Sequence, residues 1–162
     1  MANSVSQPKL TALHSLRRAR HVLLDRLENA LRADDLPPLA WYDVLYALEG
    51  AGEHGLRPRD LAFEVALTPS GLTRLLDRIA AAGLVERSVC PSDRRGFNTT
   101  LTPAGRDTLA LMRPVYMREL EAGFGSLITD AEAEQISAIL QRVSSSACTL
   151  AGEEAAPQAS AA

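Results

Sequence analysis

Two adjacent arginines, Arg94 and Arg95, stand in the run PSDRRG at residues 91–96. Pro, Ser, Asp and Gly are turn formers, so the pair falls at the tip of a turn, where cations are less usual. Guanidinium groups in that place suit a phosphate track or a narrow minor groove. Upstream, Ser70, Thr73, Arg74 and Arg78 share a stretch with Leu72, Leu75, Leu76 and Ile79. The four aliphatic residues recur at helical spacing and make a buried stripe, which leaves the polar set on other faces. Arg74 has the reach for a bidentate guanine contact or for a phosphate alone. Asp77 would be repelled by DNA if it pointed there.

These residues need a scaffold, and residues 56–105 spell one out. Thr68 is a helix cap with Pro69 at the first helical position, where the missing N–H costs nothing. Gly83 marks the end of that helix. A shorter helix starting near Pro58 carries Leu61, Ala62 and Val65 inward, and Ala66, Leu67 and Thr68 form the intervening turn. Residues 84–90 and 97–101 read as strands flanking the basic turn. Two helices and then a hairpin with a basic tip make a helix-turn-helix with a wing.

The stretch resembles the MarR family of winged helix-turn-helix transcriptional regulators. The resemblance rests on Asp93, Arg95, Leu101 and Thr102, a D-x-R motif followed at the family spacing by L-T. It is supported by TRLLDR at 73–78 and AGLVER at 82–87. It implies that Arg95 enters or lies beside the minor groove, with Asp93 orienting it, and that Asp77 positions an arginine on the hairpin, either Arg87 or Arg95. It also implies a homodimer formed by the first and last helices, and sequence-specific binding to double-stranded DNA at a pseudo-palindromic operator. Two positions depart from the pattern. Arg57 replaces the usual small hydroxyl residue before the first of the two helices, and Cys90 occupies a position that is usually not cysteine.

The elements outside the winged unit fit that arrangement. Residues 9–32 form a long amphipathic helix, with Leu13, Leu16, Leu23, Leu27 and Leu31 as its stripe, and Pro37 and Pro38 follow its end. A second helix spans about 39–51. Leu56 is placed to form a short third strand. Thr102 and Pro103 repeat the cap-and-proline signature before a long helix. Thr129 and Glu132 form a capping box that opens the last helix. The expected organisation is a flexible N-terminus (1–8), a helical dimerisation region (9–36 and 103–147), a winged helix-turn-helix DNA-binding domain (37–102) and a flexible tail (148–162). The fold class is mainly α with a small β-hairpin wing.

Composition narrows the alternatives. The chain has 162 residues, 46% of them hydrophobic, which suits one domain with a real core. No apolar run approaches a membrane span, and the first residues lack the order of a secretion signal, so a cytoplasmic protein is expected. Net charge is −3, yet residues 57–106 hold eight arginines against five acids. A basic module on an acidic body is the footprint of a DNA-binding face.

Other chemistries find little support. His14, His21 and His54 have no metal-ligand spacing, and no nucleophile-base grouping or phosphate loop is present, so neither enzymatic activity, metal nor cofactor is expected. The family commonly binds small aromatic molecules in a crevice lined by the first, second and fifth helices. Here those helices offer His21, Trp41, Tyr46, Met112 and Tyr116, which makes a ligand-responsive repressor the leading reading. One alternative is a redox-responsive regulator using Cys90. The other is a winged-helix protein-interaction module without DNA binding, whose sign would be a neutral wing.

Overall fold

A computed structural model describes residues 5–90 and 93–153, and for residues 89–90, 93–96 and 146–153 the backbone alone. Along these residues the helices are α1 (Gln7–Ala33), α2 (Leu39–Ala51), α3 (Pro58–Glu64), α4 (Pro69–Ala81), α5 (Pro103–Gly123) and α6 (Asp130–Glu153). Strands β1 (Val85–Cys90) and β2 (Asp93–Leu101) lie between α4 and α5. The chain divides between Gly123 and Phe124 into two compact units.

The first unit is built on one core. Leu31 of α1, Val44, Leu45 and Leu48 of α2, Leu61 of α3, Leu72 and Ile79 of α4, and Leu109 and Met112 of α5 are almost wholly buried in it. Each such side chain stabilises the fold by about 1.5–3 kcal/mol relative to exposure. The expected stripe of α4 is the buried one: Leu72, Leu75, Leu76 and Ile79. The stripe of α1 behaves differently. Leu27 and Leu31 are buried, whereas Leu13 and Leu16 are exposed.

Backbone chemistry sets the helix ends. Thr68 accepts a hydrogen bond from the Gly71 N–H at 3.2 Å, as its N-cap position predicts. At the end of α4, the Leu84 N–H reaches the Ile79 carbonyl and the Gly83 N–H the Ala80 carbonyl, with Gly83 at φ +75°. This is a Schellman closure with glycine in the left-handed position. The end of α3 has the same pattern: Leu67 N–H to Ala62 carbonyl and Ala66 N–H to Phe63 carbonyl. There the left-handed position is held by Ala66, at φ +51°. Arg57 gives α3 no side-chain cap, in line with its departure from the family pattern.

Helix α1 begins at Gln7, two residues inside the expected flexible N-terminus, and two further boundaries differ more from expectation. The second strand begins at Asp93 rather than at residue 97, because the ladder continues past an irregularity between Val89 and Cys90, where Cys90 pairs with Asp93. A bulge of this kind absorbs surplus residues without ending the pairing, so turn-forming types become strand. The last helix runs to Glu153, so residues 148–153 are helical rather than tail. Leu150, Ala151 and Glu153 are good helix formers and can continue a helix without an apolar period.

Candidate nucleic-acid interface

Helix α4 owes its orientation to its caps and its buried stripe. With Leu72, Leu75, Leu76 and Ile79 turned into the core, Ser70, Thr73, Arg74, Asp77 and Arg78 are all exposed. Thr73 spends its hydroxyl locally, donating to the Pro69 carbonyl at 3.0 Å. The Ser70 hydroxyl lies 3.4 Å from that of Thr68, at the helix N-terminus. Arg74 and Arg78 are one turn apart on the exposed face. The positive end of the α4 dipole and these two cations together suit an anionic backbone.

Asp77 is tied to the hairpin. Its carboxylate accepts a hydrogen bond from Arg87 of β1 at 2.5 Å. The Arg87 guanidinium also lies over the ring of Phe97 on β2, 5.1 Å from its centroid. Of the two arginines expected as partners for Asp77, the structure brings Arg87 to it. Phe97 carried no signal in the sequence beyond being an aromatic residue on a strand, and its role follows from the cross-strand register that pairs it with Val89.

The base of the hairpin is fixed to the body of the domain. Leu56 bridges to Thr99 in antiparallel fashion, an isolated one-residue bridge in place of the expected short third strand. Asn98 donates its side-chain amide to the His54 carbonyl at 2.8 Å. Thr102 caps α5 through the Gly105 N–H and donates to the Gly83 carbonyl at 2.7 Å. The strand pair therefore leaves the domain in a direction set by α4, the segment 54–56 and the start of α5. The backbone of Asp93, Arg94 and Arg95 belongs to β2. Their side chains, and that of Cys90, lie outside the described residues.

The residues expected at an effector crevice are spread over different surroundings. Tyr46 is exposed, and Tyr42 stacks between Tyr46 and Tyr116 at centroid distances of 5.9 and 4.1 Å. Burial pushes the Tyr42 phenol up to about 12 and also raises that of Tyr116, so both are neutral at ordinary pH. Trp41 is partly buried, and its indole N–H has no acceptor among the described residues. Met112 is fully enclosed in the core. His21 is exposed on α1 and lies 3.4 Å from Asp25. Only Tyr46 of these five lines the cavity that opens between α1, α2 and the end of α3. Sequence reading did not select the charged residues of that cavity, because Arg20, Asp43 and Glu64 look like ordinary solvated helix positions.

A model of the MarR family matches residues 34–96. The HTH-type transcriptional repressor YetL of Bacillus subtilis is 31% identical over 81 residues, covering 50% of this chain and 48% of that protein. The chain spans about half the length of the curated relatives it matches. Similarity extends further in three dimensions. The crystal structure of Sco3205, a MarR family transcriptional regulator from Streptomyces coelicolor in complex with DNA, superposes with a TM-score of 0.79 at 25% identity, over 89% of this chain and 90% of that one. CouR from Rhodococcus jostii RHA1, bound to p-coumaroyl-CoA, gives 0.71 at 28% identity over 79% and 87%.

Proposed function

We propose that the chain is a member of the MarR family, whose model matches residues 34–96, and that it is a sequence-specific, DNA-binding transcriptional regulator. It acts as a homodimer on a pseudo-palindromic operator and represses until a small effector releases it. The observation that carries this reading is the exposed face of α4, with Ser70, Thr73, Arg74 and Arg78, tied through Asp77 to the hairpin that bears Arg94 and Arg95. A rigid link between recognition helix and wing lets one docking event place both, the helix in a major groove and the wing along the backbone or beside the minor groove. The DNA-bound state of the similar Sco3205 supports the same use of the fold.

Dimerisation is supported by apolar surface that the winged unit leaves uncovered. Leu10, Leu13 and Leu16 of α1 are exposed, as are Ile136, Ile139, Leu140 and Val143 of α6. Two recognition helices in one dimer would meet successive major grooves about 34 Å apart. An effector that prefers another separation shifts the population away from DNA. The ligand-bound state of CouR supports such control, and Tyr46, exposed at the edge of the Tyr42–Tyr46–Tyr116 stack, is the aromatic surface here that suits it. No described helix is long and apolar enough to cross a membrane.

The test is binding to operator DNA selected from genomic fragments, followed by fluorescence anisotropy at several salt concentrations. Arg94→Ala with Arg95→Ala is expected to weaken specific and unrelated duplexes alike. It should also lower the salt slope by about one unit for each phosphate that is no longer neutralised. Arg74→Ala is expected to change base preference by ~1–3 kcal/mol if the arginine grips its base bidentately. Unchanged affinity and salt slope in the wing double variant would remove the wing from the interface.

A further inference from the structure

A cavity of about 800 Å³ opens between α1, α2 and the end of α3. That is room for a small organic molecule. Its apolar wall includes Leu24, Leu56 and Val65, and Tyr46 adds an aromatic surface. Three carboxylates face it, those of Asp43, Glu49 and Glu64. Glu49 is already paired with Arg113 of α5. Asp43 and Glu64 have no ion-pair partner among the described residues, and Arg20 is the one cationic residue of the lining described.

We propose that this cavity binds an organic ammonium ion with an apolar body, its charge held by Asp43 and Glu64 and its body against Tyr46 and the aliphatic wall. Carboxylates beside an aromatic ring are complementary to a cation twice over, by direct attraction and through the ring's quadrupole. A carboxylate ligand would gain only Arg20 and would face two unpaired anions. Asp43 supports the same conclusion. The residue is exposed overall, yet the groups packed around its carboxyl desolvate it and push its pKa up. A bound cation would relieve that cost. The inference deepens the reading of the chain as an effector-controlled DNA-binding protein, on which its regulatory consequence rests, by assigning a charge class to the effector.

The full-length protein should be titrated calorimetrically with 2-phenylethylamine and with 3-phenylpropanoate, which have similar apolar bodies and opposite charge. The amine is expected to bind at least tenfold more tightly than the acid. Asp43→Asn with Glu64→Gln, a near-isosteric pair of changes, is expected to weaken the amine at least tenfold, and Arg20→Gln is expected not to weaken it. Thermal unfolding followed by circular dichroism checks that the variants fold. No heat with millimolar amine, an acid that binds as well as the amine, or full amine affinity in the double variant would each overturn the proposal. DNA affinity measured without either compound separates the two readings. A protein that binds DNA but not the amine loses the cation site alone, whereas one that binds no DNA loses the regulatory reading whatever the calorimetry shows.

Discussion

The Asp77 carboxylate and the Arg87 guanidinium meet at 2.5 Å, joining the recognition helix to the first strand of the wing. Neither side chain is enclosed: Asp77 is 59% and Arg87 43% exposed. A pair this exposed contributes little stability, so its expected use is alignment of helix and hairpin. Phe97 completes it by covering the guanidinium from the second strand.

Removing that link should separate stability from DNA affinity. Asp77→Ala is expected to cost no more than about 1 kcal/mol in urea unfolding, the range of solvent-screened pairs. DNA affinity should fall further than stability, because helix and wing must then be aligned during docking. A double-mutant cycle with Arg87→Ala, read both by unfolding and by DNA anisotropy, checks this. Coupling that is equal in the two readouts would show that the pair serves stability alone.

Two backbone positions should respond with opposite signs. At Gly55, φ is +61° and an added Cβ would lie 2.2 Å from the Thr99 carbonyl oxygen. Gly55→Ala is expected to destabilise by about 1–3 kcal/mol, the scale of a strained backbone, and to loosen the Leu56–Thr99 bridge. At Ala66 the strain is already present, with a non-glycine residue in the left-handed position of a helix end. Ala66→Gly should stabilise by about 0.5–1 kcal/mol, as the relieved left-handed strain exceeds the greater chain entropy given up on folding. Chemical denaturation of the two variants decides both.

The start of α6 should be sensitive to acid. The Glu132 carboxylate accepts the Thr129 N–H at 2.8 Å and the Thr129 hydroxyl at 2.9 Å. The backbone hydrogen bond first, and the side-chain one second, hold its pKa below the usual glutamate range. A depressed carboxylate pKa means that the capping contribution is present above the unfolded-state pKa and is lost as pH falls through the lower folded value. Amide exchange at the first turn of α6 is therefore expected to quicken relative to the rest of α6 as the solution is acidified. Glu132→Gln should show a weaker pH dependence there. An unchanged acid response in that variant would assign it to other groups.

Self-association should depend on surface that a single chain does not bury. Leu13 is 52% and Leu16 42% exposed, on a helix whose later residues Leu27 and Leu31 fill the core. Leu13→Glu with Leu16→Glu is expected to leave helicity intact while turning a dimer into a monomer. Sedimentation velocity across a range of concentrations reads this directly. A double variant that sediments like the parent protein would place the interface elsewhere.

Local chemistry made much of this protein legible before any coordinates. Thr68 with Pro69, Thr102 with Pro103, and the Thr129–Glu132 box mark helix starts through hydrogen bonds within a single turn, and each cap forms as expected. The stripe from Leu72 to Ile79 fixed which face of α4 is buried, and so which residues stay exposed on it. Periodicity suffices there because one face must leave water, whatever it packs against. It was less informative on α1, where one leucine stripe serves the core at Leu27 and Leu31 and stays exposed at Leu13 and Leu16. A stripe records apolarity but not the identity of the surface that covers it.

Tertiary structure alone decided how distant segments meet. Arg87 meets Asp77 because strand register and the packing of α4 place it there, and register is a property of two strands together. The extension of β2 back to Asp93 has the same origin, since a bulge in the ladder outweighs turn-forming residue types. The cavity between α1, α2 and α3 was invisible for a related reason. Asp43 and Glu64 are ordinary exposed acids on their own helices, and they line one wall only after those helices have packed around a shared core. Short-range hydrogen bonds and periodic burial are encoded within a few residues, whereas charge placed across helices depends on the whole arrangement.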